Sequence, residues 1–342
     1  MEFNIKNMIR PHLLDSKSYQ SLRNSYLQKE VVLLDANENP FGSYNRYPDA
    51  EHLQLKRKLA AINEVQSEQL FLGNGSDELI DLAMRMFCEP TQDAILVFNP
   101  SFVMYEISAK LNNLDVEKLQ LNSDFQLEKE VFQDVISKTK AKILFLCSPN
   151  NPTGNSIDDL EFYIQSFAGI VIVDEAYIEF SKEVSAVSLL AKYPNLIVLK
   201  TLSKAYGMAG LRIGVGFASP EIAVLFNQFK APYNISSESQ KLALKQLENL
   251  EELQKNISII LKERDHLKVS LEKISSISKI FPSDANFFLI EFKKAEIAYQ
   301  KLLDENILTS LRHPALKNCL RITVGTAEEN SKLLNVLSQI PS

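Results

Sequence analysis

Only three cysteines occur in 342 residues, Cys88, Cys147 and Cys319, far apart and odd in number, which fits neither a disulfide framework nor paired zinc ligands. They read as buried thiols. Histidine is nearly as scarce: His12, His52, His266 and His313 form no cluster and no H-x-x-x-H pair, so metal chemistry has little support and no metal is expected. No segment approaches 18 uninterrupted apolar residues, and the opening MEFNIKNMIRPH lacks a long apolar core followed by small residues. The expected setting is the cytoplasm. The net charge of −6 is spread without a basic block, so nothing calls for nucleic acid or an anionic membrane. Small molecules are the expected partners. Apolar residues are plentiful at 45%, enough for one large domain with a smaller one, or two comparable ones.

Short apolar runs at Ala94 to Phe98, Ile143 to Cys147, Ile170 to Val173, Leu196 to Leu199 and Ile213 to Phe217 alternate with helix-like stretches. This is the pattern of an α/β fold, whose mostly parallel central sheet is covered on both faces by helices. A large domain is predicted over 45–235, with an N-terminal arm, 1–44, that packs with a smaller C-terminal domain. From Ser236 to Ile274 the pattern is helical and charged, with Ser236 or Ser237 as cap. Strand-like runs at Asn286 to Ile290 and Leu320 to Val324, and a helix near Lys294 to Asn306, complete a smaller α+β domain within 236–342.

Ligands of such sheets sit beyond the carboxyl ends of the strands, and the chemically loaded residues fall there. Lys204 stands in Thr201-Leu-Ser-Lys-Ala-Tyr-Gly-Met-Ala-Gly-Leu-Arg212. A lysine amine attacks an aldehyde only when neutral, a form that burial and a nearby cation such as Arg212 favour. Ser203 and Arg212 are suited to hold a phosphate ester beside it, so the run suggests covalently held pyridoxal phosphate. Gly-Ile-Val-Ile-Val-Asp174-Glu-Ala-Tyr177 is a buried strand delivering a carboxylate, which needs a cation; the pyridine nitrogen of that cofactor supplies one. Tyr177 and Asn151, the latter in Ser148-Pro-Asn-Asn-Pro-Thr-Gly154, are placed to hydrogen-bond the ring's phenolic oxygen. Gly73-Asn-Gly-Ser-Asp-Glu78 opens a helix whose first N–H groups make an anion site. The strand-end acid could also belong to a nucleotide hydrolase, but no G-x-x-x-x-G-K-[ST] loop accompanies it. Gly210 to Gly216 lacks the element order of a dinucleotide site.

Taken together, these motifs resemble the fold type I pyridoxal phosphate aminotransferases over nearly the whole chain. PNNPTG, VDEAY and TLSKAYGMAGLRIG are shared with many class I and II relatives. More discriminating are Tyr19-Gln-Ser-Leu-Arg, Leu34-Asp-Ala-Asn-Glu-Asn-Pro, Arg46-Tyr-Pro-Asp and Leu320-Arg-Ile-Thr-Val-Gly-Thr326, which are similar to the branch that acts on histidinol phosphate. The resemblance implies that Lys204 carries the cofactor and moves the proton, that Asp174 pairs with the ring nitrogen, and that Asn151 and Tyr177 hold the ring oxygen. It implies a phosphate seat of Ser76 and Asp77 backbone with Ser203 and Arg212. Phe102 falls where relatives stack a tyrosine, so stacking survives without a hydroxyl. Tyr47 resembles a tyrosine reaching the neighbouring subunit's cofactor phosphate, implying a homodimer. Arg321 resembles the arginine gripping the substrate's distal anion, with Tyr19, Asn37 and Tyr233 lining the pocket and Arg312 standing for an additional arginine of many relatives. The implied reaction is ping-pong transfer from glutamate, leaving 2-oxoglutarate, to imidazole-acetol phosphate, giving L-histidinol phosphate in histidine biosynthesis. Threonine-phosphate decarboxylation, aromatic amino acid transamination and, remotely, a non-catalytic regulatory domain use the same apparatus.

Overall fold

The computed structural model describes residues 3–16, 23 and 31–341. After a helix α1 (Leu53–Ile62), the chain alternates β1 (Leu70–Asn74), α2 (Ser76–Phe87), β2 (Ala94–Asn99), α3 (Met104–Leu111), β3 (Asp115–Gln120), α4 (Lys129–Ile136), β4 (Ala141–Cys147), α5 (Leu160–Ser166) and β5 (Ile170–Asp174). It continues with β6 (Leu196–Thr201), β7 (Ile213–Ala218) and α6 (Pro220–Phe229). These seven strands form one sheet in the order β1-β7-β6-β5-β4-β2-β3, parallel except that β7 runs against both its neighbours. Because β7 is reversed, its first residues lie at the edge where the other strands end.

Both faces of this sheet are sealed, which is why its inner strands read as continuous apolar runs. Leu144, Leu146, Val171, Val173 and Val198 pack on one face, Ile143, Phe145, Ile170, Ile172 and Ile197 on the other. Each such fully buried side chain contributes about 1.5–3 kcal/mol. The arm differs from its expectation: Phe3, Ile5, Met8, Ile9 and Leu13 pack on the core beneath α2, and Arg10 donates to Met86 O at 2.9 Å and pairs with Glu89. The apolar residues of this segment find their hydrophobic partner on the large sheet's helical layer, away from the C-terminal sheet.

The stretch expected as one helical run is two, α7 (Ser237–Gln246) and α8 (Leu250–Leu271). Ser236 caps the first through Ser239 N–H, and Asn249 starts the second by accepting from Glu252 N–H. Four antiparallel strands follow, β8 (Ile277–Ile280), β9 (Phe287–Phe292), β10 (Ser310–Leu311) and β11 (Cys319–Thr323), ordered β10-β11-β9-β8. They pack against α8, α9 (Ala295–Asp304) and α10 (Ala327–Leu337). A tight seam joins the two sheets: Asp284 N–H donates to Gly154 O at 2.7 Å, and Ser156 N–H to Asp284 Oδ2 at 3.0 Å. Arg264 on α8 donates to Phe180 O and Ala285 O, one on each side.

Candidate active site

The strand ends converge on a pocket of ≈ 240 Å³ between the two sheets. Eleven residues singled out from sequence line it: Ser76, Asp77, Phe102, Asn151, Asp174, Tyr177, Ser203, Lys204, Arg212, Arg312 and Arg321. All but Arg321, which sits in the middle of β11, owe their place to a strand end or to the segment that follows one.

β5 delivers Asp174 into the interior, 2% exposed. Its Oδ2 accepts from the Tyr105 hydroxyl at 2.8 Å and its Oδ1 from Ala176 N–H at 3.1 Å. Burial pushes this carboxyl up to about 6 against the two hydrogen bonds, with Asp77 adding to the rise and Lys204 opposing it. Lys204 sits in the loop between β6 and β7, its Nζ 5.6 Å from the centre of the Tyr177 ring. Burial first, then the charge of Arg321, lowers its pKa, which favours the neutral amine. Tyr177 is held edge-on to Phe287 at 5.2 Å, and burial raises its pKa.

At the other end of the pocket α2 begins at Gly75 with no side chain capping it, so its first N–H groups face the cavity uncapped. Gly75 has φ +78°, and a Cβ there would lie 2.5 Å from Arg212 Nη2. The backbone of Gly214 touches the same start, since a Cβ on it would stand 2.4 Å from Gly75 C and Ser76 N. Arg212, itself at φ +55°, accepts from Gly75 N–H with its carbonyl at 2.8 Å, and its guanidinium lies 3.6 Å from the Asp77 carboxylate. Asp77 Oδ1 is buried without a hydrogen-bond partner. Donors, a cation and close-fitting backbone thus meet where a phosphate would sit, and an acid and an amine meet where an aromatic aldehyde would. The residues fit pyridoxal phosphate.

The third wall comes from the C-terminal sheet. Arg321 on β11 donates to Asn151 Oδ1, and its guanidinium lies over the Phe287 ring at 5.4 Å. Arg312 also lines the pocket, and its Nε is buried without a partner. Burial and the neighbouring Arg321 lower its pKa. Two guanidiniums on one wall suit a doubly charged anion.

Three expected residues stand elsewhere. Tyr47 and Tyr233 stack on each other at 4.5 Å outside the pocket lining, although Tyr233 was expected within it. The neighbouring Asn234 is tied to Leu72 O and Glu78, and Tyr233, at φ +60°, turns out toward Tyr47. Asn37 is exposed on a segment held by Glu38, which pairs with Arg23 and Arg46. Tyr19 lies outside the described residues. The sequence reading passed over Tyr105 and Cys147, both set against the pocket from within the core. The available signal was a tyrosine at a buried helix position, whose hydroxyl needs a partner.

Residues 13–337 match the family model described as aminotransferase class I and II. The histidinol-phosphate aminotransferase of Flavobacterium psychrophilum is 44% identical over 99% of each chain, and that of Cytophaga hutchinsonii 43% over 98% of this chain and 99% of its own. Among solved structures, the histidinol-phosphate aminotransferase from Clostridium acetobutylicum aligns with TM-score 0.78 at 26% identity, covering 86% of this chain and 90% of that one. The Sinorhizobium meliloti histidinol-phosphate aminotransferase in complex with pyridoxal-5'-phosphate shares the fold at TM-score 0.78 and 22% identity, covering 89% of each.

Proposed function

Because the chain belongs to the class I and II aminotransferases, we propose that its strand-end pocket moves an amino group between L-histidinol phosphate and 2-oxoglutarate, with pyridoxal phosphate as cofactor, in histidine biosynthesis. The observation that carries this is the meeting of Lys204, Asp174, the uncapped start of α2 and three arginines, Arg212, Arg312 and Arg321, around one cavity.

Bound there, the cofactor supplies an aldehyde for the amino group and a ring that withdraws electrons from the substrate carbon. Lys204 Nζ would hold the cofactor through its aldehyde and would carry the substrate proton, and its lowered pKa favours the neutral amine that both tasks need. Asp174 would pair with a protonated ring nitrogen, whose positive charge would offset the cost of burying the carboxylate. Asn151 and Tyr177 would hold the ring oxygen, and Phe102 would supply a stacking face. The N–H groups of Ser76 and Asp77, with Ser203 and Arg212, bind the phosphate. Arg321 binds the distal anion of either substrate, phosphate or carboxylate, with Arg312 beside it.

Residues 1–44 form an arm, 45–235 the cofactor-binding domain, and 236–342 a connecting helix and the smaller domain. The working unit is a homodimer in the cytoplasm: Val32, Leu34, Phe41 and Tyr44 are more than three-quarters exposed, and a partner subunit covering them would receive Tyr47 and Tyr233 at its own site. The test is amino transfer from histidinol phosphate to 2-oxoglutarate by purified protein, with Lys204→Ala as control. The variant should lose both the borohydride-reducible yellow chromophore and turnover. Carbon dioxide release from threonine phosphate without transamination would overturn the substrate assignment.

A further inference from the structure

Tyr105 occupies the second position of α3, 1% exposed, in the core behind the pocket lining, where its hydroxyl reaches Asp174. Its ring stacks on Phe145 at 4.5 Å with 19° between planes and stands edge-on to Phe102 at 5.6 Å, so it is clamped against rotation. A buried tyrosine hydroxyl needs one acceptor, and here it is the carboxylate of Asp174. We propose that Tyr105 is a positioning residue for Asp174, holding Oδ2 from the core side while Ala176 N–H holds Oδ1, so that the carboxylate meets the cofactor's ring nitrogen in a fixed plane and as an anion. This rests on the reading of Asp174 as the ring-nitrogen partner.

The other groups facing Asp174 do not duplicate this role. Asp77 on α2 repels the charge, and the Cys147 thiol on β4 is kept neutral by burial. Tyr177, after β5, is neutral for the same reason, and Lys204 is committed to the aldehyde. Tyr105 itself stays a donor, because burial and the adjacent carboxylate hold its own ionisation far above the usual range. Donation to a buried anion favours the ionised form, so its loss raises the pH at which Asp174 takes up a proton.

The test is titration of cofactor-free protein with pyridoxal phosphate from pH 6 to 9, reading the absorbance of the Lys204-linked chromophore, for wild type, Tyr105→Phe, Asp174→Asn and the double variant. Tyr105→Phe keeps the clamped ring and removes only the hydroxyl. It should bind about tenfold or more weakly at pH 7, and the pH below which affinity falls should rise by about one to two units. In the Asp174→Asn background the same change should cost under about twofold. An unmoved pH midpoint, or an equal loss in both backgrounds, overturns the proposal and leaves Tyr105 as packing alone. A wild-type protein that forms no chromophore at Lys204 overturns the reading of the pocket and this proposal with it.

Discussion

Replacing Asp174 by asparagine in the cofactor-free protein separates what this carboxylate costs the fold from what it gives the cofactor. Its pKa rises from 3.8 to about 6 on folding, mainly through burial. For a raised pKa the penalty is absent below 3.8, where both states are protonated, and grows as pH rises through 6, where the folded protein must hold a buried anion. Two units correspond to about 3 kcal/mol at pH 8, and about half of that is already present at pH 5. Asparagine fits the same place: its oxygen keeps the Ala176 N–H, and its amide donates to the Tyr105 oxygen, whose own O–H is left to the weaker Cys147 sulfur beside it. Denaturant unfolding should therefore show the variant more stable by about 3 kcal/mol at pH 8 and by about 1.5 kcal/mol at pH 5. With pyridoxal phosphate present the order narrows or reverses, because only the carboxylate gains an ion pair from the ring. A gain that is absent at pH 8, or equal at both pH values, would refute a burial penalty at this position.

Two further perturbations probe the pocket's ends. Gly214→Ala drives a Cβ to 2.4 Å from backbone atoms of Gly75 and Ser76, which cannot swing aside as a side chain would. The start of α2 must shift, at about 1–3 kcal/mol of stability, and pyridoxal phosphate affinity should fall at least about tenfold by absorbance titration; unchanged affinity would place the phosphate elsewhere. Arg321→Gln should leave the chromophore intact while raising KM for both histidinol phosphate and glutamate by about 10- to 100-fold. A rise for only one of them would deny the shared anion grip.

The buried strands β2, β4, β5, β6 and β7 were legible because burial on both faces leaves a plain apolar run bounded by turns. β3 was not, since an edge strand of sequence DVEKLQ carries charges toward solvent and no apolar run. β1 escaped for a different reason: its five residues end in Gly73 and Asn74, which signalled the turn and hid the strand leading to it. In the site, residues fixed by a local turn were readable, as Lys204, Asp174, Asn151 and Arg212 show, because strand end and chemistry sit within a few positions of each other. The stacking of Tyr233 on Tyr47 was not legible, because the chain there is held by Asn234 at Leu72 and Glu78, some 160 positions away. Tyr105 was missed for the same kind of reason, its partner lying across the sheet on β5.

Lys204 and Arg212 share one loop whose base is stitched shut where Thr201 faces Gly214 and Leu202 N–H meets Ile213 O. The amine and the guanidinium that serve opposite ends of one small molecule are therefore spaced by the contour of a single short tether, anchored at both feet. Swapping one side chain for another inside it perturbs one contact, but adding a residue between the fixed feet shifts the amine against the guanidinium by up to about 3.5 Å, further than any hydrogen bond stretches. The length of this tether, as much as the identity of the two side chains it carries, sets how far apart the pocket can hold its amine and its guanidinium.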